Sequence, residues 1–177
     1  MVASTDDFIK MTATEAVARL RSKEVSPLDL VEASIRRIET IDTEVNALPI
    51  HCFDQARDQA KTLDLERHTA NPKSLCGLPI AVKDYNDLGG VITTYGSPIF
   101  ANNVAQKSDA TVRKLQSNGA IAVAKSNVPE WAGGHTFNPV NGLTRNPWDM
   151  KKSAGGSSGG SGAALASGLV WLATGND

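Results

Sequence analysis

The sequence has few of the residues that build disulfide frameworks, metal sites or surfaces for nucleic acid. It contains two cysteines and three histidines among 177 residues, and these do not cluster with the spacing of metal ligands. The isolated Cys52 and Cys76 favour reduced thiols in a cytoplasmic protein. Lysine and arginine are spread along a chain whose formal net charge is −1. Electrostatics therefore gives no support for binding to nucleic acid or to an anionic membrane.

Long hydrophobic segments are also absent. Residues 1–7 have neither the basic nor the apolar region of a signal peptide. The longest apolar run, residues 163–173, is interrupted by Ser167 and Gly168 and is too short to cross a bilayer. With 41% apolar and 21% charged residues, the composition is ordinary for a soluble globular domain with a substantial core.

The first third of the chain carries helical signals. Thr12-x-x-Glu15 predicts a capping box, and Ser26-Pro27 predicts an N-cap followed by proline at the first helical position. A further helix is predicted over residues 51–63, and a surface connection over residues 66–76. Between these signals, apolar residues recur mainly at three- and four-residue spacing and predict one buried helix face: Leu28, Val31, Ile35, Ile38 and Val45.

The pattern changes after residue 77. Two short apolar runs, residues 78–83 and 120–124, predict buried strands, and the first of them ends in Lys83. Between them, Ser108 is predicted to cap a helix that runs to Asn118 and stops at the following glycine. Strand, helix and strand in this order predict a parallel βαβ unit covered by helices. Residues 133–156 are predicted to be an extended irregular segment.

Residues 155–162 form a glycine- and serine-rich segment that allows three interpretations. The composition fits a flexible linker, but Pro147-Trp148 and the apolar run 163–173 flank the segment and suggest a packed region. A phosphate-binding loop needs a lysine after the glycines, and none follows here. The third interpretation is a site with a reactive serine.

A reactive serine in this segment could belong to either of two kinds of site. Gly155-x-Ser157-x-Gly159 matches the GxSxG elbow, which must follow a buried strand and needs a histidine base. Residues 148–154 are polar and poor in strand formers, and all three histidines precede the serine, so we reject the elbow. A lysine can also activate a serine, and Lys83 is the candidate because it ends an apolar run. The alternative for such a lysine is a plain surface charge.

The chain contains, in this order, the segments Gly77-Leu-Pro-Ile-Ala-Val-Lys83-Asp84, Ala124-Lys-Ser-Asn-Val-Pro-Glu-Trp131, Gly142-Leu-Thr-Arg-Asn-Pro-Trp148 and Gly155-Gly-Ser157-Ser-Gly-Gly160. Together these four segments resemble motifs of the amidase signature family of serine hydrolases. The resemblance implies an α/β fold class: the N-terminal part of an α/β/α fold with a mixed sheet, preceded by N-terminal helices. Residues 1–65 would be the N-terminal helical segment, and residues 66–177 the first part of the signature core, as one truncated domain.

The resemblance also implies site residues. Lys83 would be the general base and Ser157 the bridging serine of a Ser–cis-Ser–Lys triad, with a cis peptide between Gly156 and Ser157. A lysine base must be neutral, so its pKa must lie well below the usual value of about 10.4. Gly156 and Ser158 would support the cis peptide and the loop. Residues expected to bind substrate are Trp131, Ala132 and Asp177.

The implied reaction is hydrolysis of a carboxylic amide to an acid plus ammonia or an amine, through an acyl-enzyme. The substrate would be a small-molecule amide, and no cofactor and no metal are expected. The family's nucleophilic serine and oxyanion hole would fall beyond residue 177, so we expect the 177-residue chain to be an inactive fragment. Two alternatives stay open: a non-catalytic module that binds an amide or a partner, including a second copy of itself, and a subunit-type relative that makes amidated tRNA.

Overall fold

The first third of the protein is helical in a computed structural model that describes residues 8–176. Thr12 and Glu15 form the predicted capping box, in which Thr12 Oγ1 accepts from Glu15 N at 3.2 Å. Ser26 caps the next helix with Pro27 at its first position, also as predicted. The helices are α1 Ala13–Arg21, α2 Pro27–Arg37, a π-helical turn Ile38–Asp42, α3 Thr43–Val45, α4 Phe53–Thr62, α5 Leu65–Ala70, α6 Ala110–Ser117 and α7 Gly159–Ala166, with 3-10 turns at Pro98–Phe100 and Glu130–Ala132.

Strands supply the centre of the molecule. The main sheet has the order β1-β3-β2-β8; β3 and β8 flank β2 in parallel, and β1 runs antiparallel to β3. Because α6 connects β2 to β3, the predicted parallel βαβ unit is confirmed. The strands are β1 Ile50–His51, β2 Pro79–Lys83, β3 Ile121–Ser126, β4 Phe137–Asn138, β5 Gly142–Leu143, β6 Arg145–Asn146, β7 Asp149–Ser153 and β8 Leu172–Ala173.

The main sheet separates two apolar clusters. Side chains alternate between the two faces of a strand. Ala81 of β2 belongs to a cluster with Val31 of α2 and Ala163 of α7, whereas Ile80 and Val82 belong to a cluster with residues such as Val112 of α6. Both faces of the central strand are therefore buried, which explains its continuous apolar run.

Two predictions about helices need correction. The predicted surface connection over residues 66–76 contains most of α5, because Asp64 Oδ1 caps that helix by accepting from Arg67 N at 3.1 Å. Ser108 does not cap α6: the helix begins after Asp109, and Ser108 Oγ instead accepts from Gly89 N at 3.0 Å. The helix therefore begins one residue later than a cap at Ser108 would place it.

Residues 133–156 are more ordered than the sequence predicted. They contain two small hairpins, β4–β5 and β6–β7, each a separate two-stranded sheet. Strand β7 consists of residues 149–153, which are polar except for Met150 and are exposed or half-buried, so its composition reflects a largely solvent-facing hairpin and not the absence of a strand. The glycine-serine segment is also partly regular, since α7 begins at Gly159. Within residues 8–176, no helix is both long enough and apolar enough to cross a membrane.

Candidate active site

The site begins at the end of β2, where Lys83 is 0% exposed. The interpretation of this lysine as a surface charge is therefore wrong. Its Nζ lies 2.7 Å from Ser157 Oγ, 2.9 Å from Ser158 Oγ and 2.7 Å from Asn176 Oδ1. Strand pairing explains part of this arrangement. β8 runs parallel to β2, and Lys83 N donates to Thr174 Oγ1 at 2.7 Å, so the residues after β8 arrive at the same sheet edge as the lysine.

The serine segment is held in place by the chain around residues 134–136. Its Gly156–Ser157 peptide bond is cis. Thr136 N donates to Gly155 O at 2.7 Å, and Thr136 Oγ1 accepts from Gly159 N at 3.1 Å. A Cβ added to Gly156 would lie 2.0 Å from Gly134 O. Glycine is required there by close backbone approach, and the segment is packed structure and not a flexible linker.

Ser158 links the serine segment to the end of β8. Its Oγ accepts from Asn176 N at 3.3 Å and lies 3.2 Å from Asn176 O, to which it donates. A cleft of about 350 Å³ opens beside these groups and is lined by Ser157, Ser158, Asn176 and neighbouring small residues. A buried amine thus contacts hydroxyl groups that border solvent-accessible space.

A second pair of buried charges lies next to the site. Lys125 Nζ is 2.9 Å from Asp84 Oδ1, and both side chains are 0% exposed. Asp84 also accepts from the backbone N–H of Thr94 at 3.1 Å and from its hydroxyl group. Burial lowers the pKa of Lys125, and the attraction of the Asp84 carboxylate opposes this shift. The pair joins the end of β3 to the loop after β2.

The expected substrate-binding residues Trp131 and Ala132 lie in the segment that leads to Gly134. Trp131 is half exposed, and its ring stacks on Tyr95 with 5.7 Å between the ring centroids. The backbone N–H of Trp131 donates to Tyr95 O at 3.0 Å, and the Phe100 ring packs edge-on against the Trp131 ring with 5.5 Å between the centroids. These contacts give Trp131 a packing role. The third expected residue, Asp177, lies outside the described residues.

Sequence reasoning gave no role to Asn176 or Lys125. Lys125 had a signal, because it ends the second apolar run as Lys83 ends the first. Asn176 had no local signal, since its contact with Lys83 depends on the pairing of β8 with β2.

Other reactive side chains are poorly placed for chemistry. Burial raises the pKa of the Cys52 thiol to about 12, so at neutral pH it is not a thiolate nucleophile. Cys52 and Cys76 are both free and buried. In residues 8–176, no three His, Cys, Asp or Glu side chains stand close enough together to hold a metal ion.

Comparison with known proteins identifies the family. Residues 29–177 match the Amidase family. The chain is 37% identical over 169 residues to a glutamyl-tRNA(Gln) amidotransferase subunit of Desulfatibacillum aliphaticivorans, covering 95% of this chain and 35% of that protein. It is 41% identical over 150 residues to the putative amidase AmiB2 of Mycobacterium tuberculosis H37Rv, covering 84% of this chain and 32% of that protein.

Solved structures agree with this match. The structure of 6-aminohexanoate cyclic dimer hydrolase with its substrate superposes with a TM-score of 0.84 at 30% identity, over 93% of this chain and 33% of that one. The predicted α/β fold class with a mixed sheet is thus confirmed. The chain spans about a third of the length of the curated relatives, 35% and 32%. The matched residues include both the buried lysine and the serine segment, and the chain belongs to the amidase signature family.

Proposed function

We propose that the protein hydrolyses a small carboxylic amide, with Lys83 as general base and Ser157 as bridging serine of a Ser–cis-Ser–Lys triad. The observation that carries the proposal is the 2.7 Å contact between Lys83 Nζ and Ser157 Oγ, made by a lysine with no solvent exposure. Hydrogen-bond contact between a base and a hydroxyl is the geometry that proton transfer requires.

In this mechanism, neutral Lys83 takes the hydroxyl proton of Ser157, and Ser157 takes the proton of a nucleophilic serine. The nucleophile attacks the amide carbonyl carbon. The proton held by Lys83 then returns through Ser157 to the leaving nitrogen, and the tetrahedral intermediate expels ammonia or an amine. Water then attacks the acyl-enzyme, releases the carboxylic acid and restores the nucleophile. The resemblance implies that the nucleophile and the oxyanion-hole donors follow residue 177.

Residues 1–177 by themselves should therefore not turn over amides. Loss of one oxyanion-hole donor lowers kcat by about 10²–10³, and loss of a triad nucleophile lowers it by about 10⁶ in another serine hydrolase. The assay compares ammonia release by residues 1–177 with release by the protein as its gene encodes it. Equal serine-dependent turnover by both would contradict this part of the proposal.

The roles of the two residues are tested by Lys83→Ala and Ser157→Ala in the protein as encoded. Each should lower kcat by several orders of magnitude, because each interrupts the proton relay. Lys114→Ala and Ser117→Ala, exposed positions on or at the end of α6, are matched controls and should keep normal turnover. Near-normal kcat in both site variants, with unchanged circular dichroism, would remove their assigned roles.

A second candidate function is favoured by the 37% identity to a glutamyl-tRNA(Gln) amidotransferase subunit. In that case the protein would supply ammonia within a complex whose other members bind the tRNA. Purification from its own host distinguishes the candidates. A lone amidase acts on amides without partners, whereas a member of such a complex copurifies with partner chains and needs them for full turnover.

A module without catalytic function would bind simple amides in calorimetry but release no ammonia.

A further inference from the structure

Asn176 also contacts Lys83, and it belongs to a different segment of the chain from Ser157 and Ser158. It follows β8 by three residues, and its amide oxygen Oδ1 lies 2.7 Å from Lys83 Nζ. Thr174, two residues earlier, accepts from the backbone N–H of Lys83 at 2.7 Å. The parallel pairing of β8 with β2 therefore fixes where the Asn176 side chain meets the lysine.

The chemistry of these contacts gives them a direction. An amide oxygen can only accept a hydrogen bond, so Lys83 donates one N–H to Asn176. Ser158 Oγ–H points at Asn176 O at 3.2 Å, so the Ser158 oxygen accepts from Lys83 at 2.9 Å. A neutral amine has two N–H groups and one lone pair. Nζ also lies 3.5 Å from Asn176 O, so residue 176 offers it two acceptors. When Asn176 and Ser158 accept the two hydrogens, the lone pair is left to face Ser157.

We propose that Asn176 is a positioning residue, which accepts an N–H of neutral Lys83 and so turns the lysine lone pair toward the Ser157 hydroxyl. This inference rests on the proposed function, in which Lys83 is a base. It adds a residue outside the triad and assigns it an orienting role, separate from proton transfer. It also requires that the side chain at position 176 be uncharged, because a carboxylate at this position would favour the ammonium form of Lys83.

The charged side chains beside the lysine along the strands belong to the Asp84–Lys125 pair, and Asp177 follows Asn176 directly in the sequence. This pair occupies the ends of β2 and β3, where the two side chains hold each other at 2.9 Å. In the other two segments that contact Lys83, residues 154–166 and 172–176, the sequence has no ionisable side chain. A carboxylate placed at position 176 would add a negative charge within hydrogen-bond distance of Nζ.

The test uses Asn176→Asp and Asn176→Leu in the protein as its gene encodes it, with ammonia release measured across pH. Because Asp is isosteric with Asn, it changes the charge with little change in shape. The acid limb of kcat/KM reports the pKa of the free base. Asn176→Asp should move this limb to higher pH by about one pH unit or more. Asn176→Leu should lower kcat by about 10–100-fold with a smaller change in KM, since the oxygen that it removes contacts Lys83. Asn102→Asp, at an exposed position, is the charge control and should leave the limb in place.

The outcomes separate the positioning role of Asn176 from the proposed function. An acid limb at the wild-type pH in Asn176→Asp, while Lys83→Ala abolishes turnover, would overturn the positioning role and leave the proposed function intact. Full turnover in Lys83→Ala would overturn the proposed function and this inference with it. If Asn176→Leu fails to fold, the isosteric Asn176→Asp decides alone. A shift of the acid limb of kcat/KM to higher pH in Asn176→Asp, with no shift in Asn102→Asp, supports the proposal.

Discussion

Lys125→Met should destabilise the protein strongly, because it leaves the Asp84 carboxylate buried without its cationic partner. Both side chains are 0% exposed, and Lys125 Nζ lies 2.9 Å from Asp84 Oδ1. Methionine is unbranched like lysine and fills a similar channel, so the substitution removes the charge without a large cavity. The measured effect therefore reports the polar contacts of the Lys125 amine, the ion pair foremost, and not a packing defect.

The magnitude follows from what each partner loses. Asp84 keeps the N–H of Thr94 at 3.1 Å, but a neutral donor does not cancel its charge. Lys125 also donates to Thr93 Oγ1 at 2.8 Å and to Ile92 O at 3.3 Å, and these contacts are lost as well. Removing one partner of a buried ion pair costs about 3–5 kcal/mol. We expect the free energy of unfolding to fall by that amount.

Asp84→Asn tests the same pair from the other side. Burial lowers the pKa of Lys125, and without the carboxylate that opposes this shift the pKa falls further. The unfolded chain then binds more protons than the folded protein between this lowered pKa and the ordinary lysine value of 10.5. The free energy of unfolding of Asp84→Asn should therefore rise with pH across that window. The double variant, Asp84→Asn with Lys125→Met, should recover most of the loss caused by Lys125→Met alone.

Urea unfolding followed by tryptophan fluorescence measures these free energies. Lys114→Met, at an exposed position of α6, is the matched control, and it should change stability by about 0.5 kcal/mol or less. A loss below about 1 kcal/mol for Lys125→Met would refute the reasoning, because an unpaired buried charge is far more costly. Strictly additive losses in the double variant would refute it too, since residues in contact should be energetically coupled.

Two further variants test the close packing and the buried acid. Gly156→Ala should lower the free energy of unfolding by about 1–3 kcal/mol or more, because its Cβ would lie 2.0 Å from Gly134 O. Gly162→Ala, in α7 with nothing within 4 Å of the added Cβ, should raise the free energy of unfolding by about 0.5–1 kcal/mol. Urea midpoints equal to that of the unsubstituted protein would contradict these two expectations. Burial raises the pKa of Asp42 above 3.8, so the free energy of unfolding should fall as pH rises from 3.8 through the raised pKa. Asp42→Asn should remove this pH dependence, whereas Glu39→Gln, an exposed neighbour, should keep it.

The parts of the fold that sequence could predict are those decided by neighbours along the chain. The capping boxes at Thr12 and Ser26 involve residues only three positions apart, so the pattern contains the whole interaction. Strands β2 and β3 are buried on both faces, and each therefore appears as an uninterrupted apolar run. Local signals of this kind do not depend on which strands later become neighbours.

The parts that sequence could not predict depend on distant contacts. Strand β7 is mostly polar because its hairpin largely faces solvent, and strand β8 has only two residues, Leu172 and Ala173, which no periodicity could reveal. Yet β8 brings Asn176 to Lys83, across 93 residues of sequence. Most of the candidate site was predictable from motifs. The contact that we propose to orient the base became visible only with the strand order.

Strand register explains how two buried lysines at one sheet edge acquire different surroundings. Lys125 of β3 pairs with Val82 of β2, and the next register pair is Lys83 with Ser126. Because partners in a parallel pair point to the same face and successive residues alternate, the two lysines point to opposite faces. Lys125 meets the carboxylate of Asp84, which favours its charged form and suits a structural pair. Lys83 meets the Ser157 hydroxyl beside a cleft, where a proton can be passed on. A shift of β3 by one residue against β2 would turn Lys125 away from Asp84 and toward the face of Lys83, so the proposed chemistry depends on the same pairing that builds the core.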